Sequence, residues 1–210
     1  MAKKRVMRST KLPRIASYFS AGLLVFIVIA YLARWLGESP IRAAQLWTGR
    51  IAFVFLLSSL TITPLRTITG NAMIIPLRKT FRLNAFYWAF LHMLVFTVLN
   101  YRLNLGGIIE AITFRRFIIP GIFALLILAV LAITTIGPVK KAVARIWRKI
   151  HMCVYPANAL VLLHYSGATA AGGEIKPLSL MTALYLVLMF ILRLKPVKMA
   201  IIRSRQGAVN

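Results

Sequence analysis

Acidic side chains are almost missing from this 210-residue chain. It has three, Glu38, Glu110 and Glu174, against 27 lysines and arginines. None of the three falls in a long apolar run, which argues against a proton relay built from intramembrane carboxylates. The same absence, without inverted-repeat symmetry, argues against a channel or carrier. The single cysteine, Cys153, allows no internal disulfide and gives no redox-compartment signal. No G-x-G-x-x-G turn follows a strand, and no soluble stretch is large enough for a nucleotide, so the chain cannot take hydride from a nicotinamide cofactor by itself. The formal charge of +24 comes without a nucleic-acid motif or a basic-aromatic stacking surface, so no nucleic-acid partner is expected. Internal repeats and low-complexity tracts are also lacking.

What is present is hydrocarbon. The chain is 60% hydrophobic, with mean hydropathy +0.81. A soluble domain of this size could not hide that much apolar surface, so the chain reads as an all-α integral membrane protein. Six runs are long enough to cross ~30 Å of hydrocarbon at ~1.5 Å per residue. They cover 15–36, 45–64, 83–103, 117–136, 148–169 and 177–194. The first is too long for a signal-peptide core and has no small-residue cleavage site after it, so it reads as retained. Pro13, Pro40, Pro64, Pro138 and Pro177 punctuate the ends, Pro120 falls in a first turn, and Pro156 should bend the fifth helix. The organisation expected is a basic tail (1–14), a six-helix domain (15–194) and a second basic tail (195–210).

Basic residues set the orientation. They crowd the N-terminal tail, the second loop (Arg66, Arg78, Lys79, Arg82), the fourth loop (Lys140, Lys141, Arg145, Arg148, Lys149) and the C-terminal tail. The other three loops are less basic and hold all three acids. The positive-inside rule then puts both termini in the cytoplasm.

Three histidines, His92, His151 and His164, lie in or at the ends of apolar runs. A polar ring in hydrocarbon is costly and ordinarily has a partner or a job. Without carboxylates for a relay, the imidazoles point to a metal, and a bis-imidazole haem is the obvious candidate. His92 lies ten residues beyond Arg82, ~15 Å into the membrane. His164 lies thirteen residues beyond His151, ~20 Å deeper along the helix. His92 is thus closer in depth to His164, although depth alone does not settle the pair. Thirteen residues leave His151 and His164 about 140° apart on an ideal helix. Arg78 falls about 40° from His92 in angle if the helix reaches that far. Arginine stays protonated and is a poor iron ligand, but it suits a haem propionate or a flavin phosphate. The plainer reading of the histidines is interhelical hydrogen bonding, worth roughly 1 kcal/mol, with Tyr155 and Asn158 as nearby partners.

Along most of the chain, motifs recur in an order that resembles the MsrQ (YedZ) family. That family comprises the haem-binding membrane subunits of a bacterial methionine sulfoxide reductase system, in the ferric reductase-like transmembrane superfamily. Thr48-Gly49-Arg50, Leu56-Leu57 and Thr63-Pro64-Leu65-Arg66 resemble its TGR…LL…TPLR segment. Arg78-Lys79 with Phe86, Trp88 and Leu91-His92 resembles RR…F…LH, and Leu131 to Thr135 resembles LAxTS. Trp147, Ile150-His151, Tyr155 and His164-Tyr165 resemble WxxLHxxxY…H. The chain departs from the pattern at Arg82, at Val143-Ala144 and at Arg116-Phe117.

The resemblance implies a b-type haem held between helices three and five. Two-haem members carry two histidines on each of these helices; here Arg78 stands where the inner one of helix three would fall. His92 and His164 are then the axial pair. His151 is left for a second haem, a flavin-side group or no ligand at all, and one haem is favoured over two. The family also implies associated FMN, with Arg78, Lys79 and Arg82 as candidates for its phosphate or for a propionate. The donor is a cytoplasmic reduced flavin or flavin reductase, and the acceptor an outer-face molybdenum-cofactor reductase that repairs oxidised methionine. The expected role is that of an electron-transfer subunit in a bacterial inner membrane, without a complete active site of its own. The alternative is a structural or accessory subunit of a larger membrane complex, with the fold kept and the electron route altered or lost.

Overall fold

A computed structural model describes residues 11–170 and 177–207. Most of the basic N-terminal tail (residues 1–10) and Glu174 lie outside the described residues. All regular structure among the described residues is helical: α1 Lys11–Leu32, α2 Pro40–Thr69, α3 Leu77–Leu94, α4 Leu105–Phe114, α5 Ile118–Ile133, α6 Gly137–Ala142, α7 Trp147–Ile150, α8 Val154–Ala170, α9 Pro177–Ile191 and α10 Lys195–Gly207. A 3₁₀ turn, Ala72–Ile74, leads into α3, and a π-helical turn, Val95–Asn100, ends it.

Three helical stretches are each long and apolar enough to cross a membrane: Lys11–Leu32, Pro40–Thr69 and Ala72–Asn100. Two bent pairs raise the number to five if each is one span: α4 with α5 at 110°, and α9 with α10 at 73°. The helix α8 has 17 residues. Large apolar side chains face outward on α1, α5 and α9, including Phe26, Phe123 and Leu184. That arrangement is unfavourable in water and ordinary in lipid. The inward faces meet in one cluster built on Phe55, Leu56 and Leu60 of α2, Ala85 and Trp88 of α3, Leu128 and Leu131 of α5, and Val154 of α8. Ala85 and Ala157 are fully buried, and small residues of this kind let helix backbones approach closely without a hydrophobic driving force. Trp88 Nε1 donates to Ser20 Oγ at 2.8 Å and ties α3 to α1.

Prolines explain where the helices differ from the sequence reading. Pro64 lies inside α2 and does not end it; the helix runs on to Gly70, which caps it in the left-handed conformation at φ 71°. Proline has no N–H to give the carbonyl four residues back, here that of Leu60. Arg193, at the end of α9, donates its Nη2 to that carbonyl. A partner 133 residues away thus satisfies the group that Pro64 frees.

Pro156 acts differently. It sits in the first turn of α8 and does not bend it. The expected single fifth helix is instead broken ahead of it, into α7, a 3₁₀ turn at His151–Cys153, and α8. Proline at 156 cannot donate to the Met152 carbonyl, so an uninterrupted α-helix through this stretch would lose a bond. Two other boundaries move as well. The helix α3 begins at Leu77, directly after Pro76, so Arg78 and Arg82 are on the helix. Residues 105–114, read as loop from sequence, form α4, whose first turn is capped by Asn104 Oδ1 accepting from Gly107 N–H at 3.3 Å. The last basic segment is helical from Lys195 to Gly207, and Arg205 reaches back to the Thr67 carbonyl of α2.

Candidate metal centre

His92 stands in the last turn of α3, just ahead of the π turn, and His164 on α8. Their ring centroids are 6.1 Å apart with planes at 82°. Each ring is held through Nδ1. His92 Nδ1 lies 2.9 Å from the Gln45 carbonyl of α2, and His164 Nδ1 lies 2.8 Å from the Phe117 carbonyl ahead of α5. A carbonyl can only accept, so both Nδ1 atoms carry the proton and both Nε2 atoms keep the lone pair. Backbone carbonyls holding Nδ1–H is the usual way a ligating histidine is oriented.

Packing leaves little freedom to either ring. A methyl group added at Gly49 would stand 3.0 Å from His92 Cε1 and Nδ1. One added at Gly121 would stand 2.7 Å from His164 Nδ1. Thr48 Oγ1 bonds the Ala44 carbonyl and lies 3.5 Å from His92 Nδ1. The Gln45 side chain covers the other nitrogen: its Nε2 is 3.2 Å from His92 Nε2, and Asn100 of the π turn donates to its Oε1 at 3.2 Å. Nothing in the sequence singles out Gln45, Asn100 or Gly121, and Phe117 stands out there only as a departure from the family pattern. Thr48 and Gly49 stand out there only as part of a motif, and their place against His92 gives that motif a physical content.

His151 lies elsewhere and has different company. It is buried, and Arg82 Nη1 donates to its Nδ1 at 2.9 Å. Its Nε2 is 3.4 Å from Thr134 Oγ1, and the Trp147 ring stacks on it at 4.1 Å between centroids. Trp147 Nε1 donates to the Thr134 carbonyl at 3.1 Å, and the Lys140 ammonium lies over the indole at 5.1 Å. Both ring nitrogens of His151 are therefore occupied by protein groups. Arg82, not Arg78, is the basic residue that faces it.

The three basic candidates are dispersed. Arg82 is committed to His151 and, through Nε, to the Arg78 carbonyl at 3.1 Å. Arg78 lines a recess with Arg193 and Lys198. Lys79 is exposed on α3. Tyr155 and Asn158 are not partners of a histidine, contrary to the expectation from sequence. Arg193 donates to Tyr155 Oη, and the Asn158 amide donates to the Val154 carbonyl at 2.7 Å. Six residues turn a helix by about 240°, which points Asn158 away from the His164 face.

Among the described residues no three His, Cys, Asp or Glu side chains gather into one group. The His92–His164 pair can thus supply two imidazole nitrogens and no third protein ligand from among the described residues. It suits a metal that brings its remaining ligands with it, as a porphyrin iron does.

Comparison with known proteins adds to this geometry. A family described as ferric reductase like transmembrane component matches residues 46–162. The magnetosome protein MamZ of Magnetospirillum gryphiswaldense is 39% identical over 152 residues, covering 72% of this chain and 22% of that one. The protein-methionine-sulfoxide reductase heme-binding subunit MsrQ of Xanthomonas oryzae pv. oryzae is 38% identical over 130 residues, covering 62% of this chain and 60% of that one. The chain therefore spans about a fifth of MamZ and three fifths of MsrQ. No solved structure matches it.

Proposed function

We infer that the chain, which belongs to the ferric reductase-like transmembrane component family, carries single electrons across a membrane through a haem held by His92 and His164. Its identity to MsrQ proteins, named as heme-binding subunits, supports a place in the MsrQ/YedZ group. The observation that carries the reading is the ring pair. Metal–imidazole bonds of about 2 Å each, with the two ring radii, add to roughly 6 Å between centroids, and the observed spacing is 6.1 Å.

The residues present fit such a group. The Gln45 and Phe117 carbonyls fix both tautomers with Nε2 unprotonated. Gly49 and Gly121 leave room for the rings, and the Gln45 amide must turn away from His92 Nε2 to admit the iron. A b-type haem held by these two histidines would supply one-electron chemistry. The protein's share is to orient the ligands, exclude water and place cations.

In this reading α1, α2, α3, the α4–α5 pair, α8 and α9 make six crossings of a bacterial cytoplasmic membrane, with both termini inside. A reduced flavin or flavin reductase, with FMN as the carrier, docks at the basic end. The electron leaves on the outer face to a redox protein, which the name of the MsrQ relatives suggests is a methionine sulfoxide reductase. A second reading, an accessory haem domain of a larger membrane assembly, is supported by the match to a short part of MamZ.

Expression with haem supplied tests the first claim. The purified chain should be red, with a Soret band that shifts on dithionite reduction; a colourless preparation overturns it. Oxidation of the reduced protein in proteoliposomes by an impermeant acceptor on the far side separates the two readings. Its absence leaves only the accessory role.

A further inference from the structure

Two recesses meet at Arg193. One, of about 140 Å³, is apolar and runs between α2, α8 and α9, lined by Leu60, Ala159, Leu186, Met189 and Phe190. The other, of about 190 Å³, is polar and lies toward the basic end of the bundle, where Arg78, Lys198 and Thr63 line it. Tyr155 and Arg193 line both.

Three cations, Arg78, Arg193 and Lys198, thus share one small space. Neither Glu38 nor Glu110 lines it. Like charges brought together beside hydrocarbon repel strongly unless an anion lies among them. Arg193 is held in place by three contacts. Its Nη1 donates to Tyr155 Oη, its Nη2 donates to the Leu60 carbonyl that Pro64 frees, and its Cζ lies 5.2 Å from the centre of the Tyr155 ring. Its Nε is buried and has no partner, as is Asn158 Oδ1 at the apolar cavity.

We propose that these joined recesses bind an anionic glycerophospholipid. The headgroup phosphate lies among Arg78, Arg193 and Lys198. The glycerol backbone lies beside Tyr155, where the two recesses join. One acyl chain follows the apolar cavity along α9, where Phe190 is open to the bilayer. A phosphate alone would satisfy the cations and leave the cavity unused, whereas the contiguity of the two recesses matches an amphiphile. Basic pockets between membrane helices are known places for such headgroups. The assignment does not depend on haem.

Native mass spectrometry of the full-length chain in detergent, titrated with dioleoyl phosphatidylglycerol or dioleoyl phosphatidylcholine, tests this. The expected result is one retained phosphatidylglycerol, bound at least ten-fold more tightly than phosphatidylcholine and not displaced by millimolar inorganic phosphate or FMN. Lys198 is exposed, so Lys198→Gln spares the fold and should weaken phosphatidylglycerol at least five-fold with phosphatidylcholine unchanged. Ala159→Phe should fill the apolar cavity and weaken both lipids. Equal retention of the two lipids, or indifference to Lys198→Gln, overturns the proposal. Displacement of the lipid by FMN or phosphate overturns it too, and assigns the recess to a phosphate with no lipid tail.

Discussion

His92 and His164 approach edge to face at 6.1 Å, and each is anchored through Nδ1 to a backbone carbonyl 47 residues before it in the chain. A carbonyl anchor has a consequence that a side-chain anchor lacks. No substitution at Gln45 or Phe117 removes it so long as the helices stay in place. The direction of the two Nε2 lone pairs is therefore a property of the α2–α3 and α5–α8 packing, and the centre should be as rigid as that packing.

The first expectation concerns which rings bind. His92→Ala and His164→Ala should each abolish the low-spin b-haem spectrum, because one imidazole cannot hold both axial positions. His151→Ala should leave most of it, since the one lone pair of the neutral His151 ring, on Nδ1, already accepts from Arg82. Optical and electron paramagnetic resonance spectra of the purified full-length variants decide. Loss of low-spin haem in His151→Ala, with His164→Ala unaffected, would make His151 the ligand in place of His164.

Glycine substitutions probe the same rings without removing a ligand. A Cβ at Gly121 meets His164 Nδ1 at 2.7 Å, inside the distance at which either atom can stay. Gly121→Ala should cost about 1–3 kcal/mol through overpacking, and should rotate the imidazole, changing the low-spin g-values or lowering haem occupancy. A methyl group at Gly22 on α1 would have nothing within 4 Å, so Gly22→Ala is the matched control and should alter neither. Equal spectra for both variants would show that Gly121 does not constrain the ring.

Much of this is legible in the sequence, and the limits have physical causes. Hydropathy announces lipid-facing helices because lipid tolerates few charges, and depth along two parallel helices puts His92 near His164. Hydropathy also misplaces α3, because it reads Arg78 and Arg82 as loop while the backbone only needs Pro76 to start a helix. Pro64 looks like a terminus because the donor to the Leu60 carbonyl comes from Arg193, far along the chain. The anchors of the histidines are invisible for a different reason. Backbone carbonyls exist at every residue, so no residue type marks Gln45 or Phe117. Tyr155 and Asn158 are misassigned because nearness in sequence says nothing about which face of α8 they occupy.

Arg82 and His151 give an expectation about stability. Arg82→Gln shortens the donor and leaves the buried His151 Nδ1 without its 2.9 Å bond. An unsatisfied buried acceptor costs about 1–3 kcal/mol. The thermal midpoint of the detergent-solubilised protein should fall, while the haem spectrum stays as in the wild type. Thr134→Val, at the weaker 3.4 Å contact on Nε2, should cost less. A lost or shifted haem spectrum in Arg82→Gln would tie His151 to the metal after all.

The last expectation is topological, and it separates the six-crossing arrangement from any in which α4–α5 or α8 fails to span. Cys153 is the sole cysteine and is exposed, so Cys153→Ser gives a background without thiols. Ser39, Glu110, Lys141 and Ser204 are all exposed; Ser39, Lys141 and Ser204 lie between or beyond the proposed crossings, and Glu110 lies on α4, in the outer part of the α4–α5 pair. With the basic loops inside, Ser39→Cys and Glu110→Cys should react with an impermeant maleimide in intact spheroplasts, and Lys141→Cys and Ser204→Cys only after lysis. The pair Glu110 and Lys141 carries the most weight, because α5, at 16 residues, is the only long helix between them. Sixteen residues reach about 24 Å, short of the ~30 Å core, so α5 spans only if it draws on α4 or if the bilayer thins around it. Labelling of Lys141→Cys in intact spheroplasts would place both on one side, and would leave α3 and α8 running in opposite directions. That result would overturn the six-crossing arrangement.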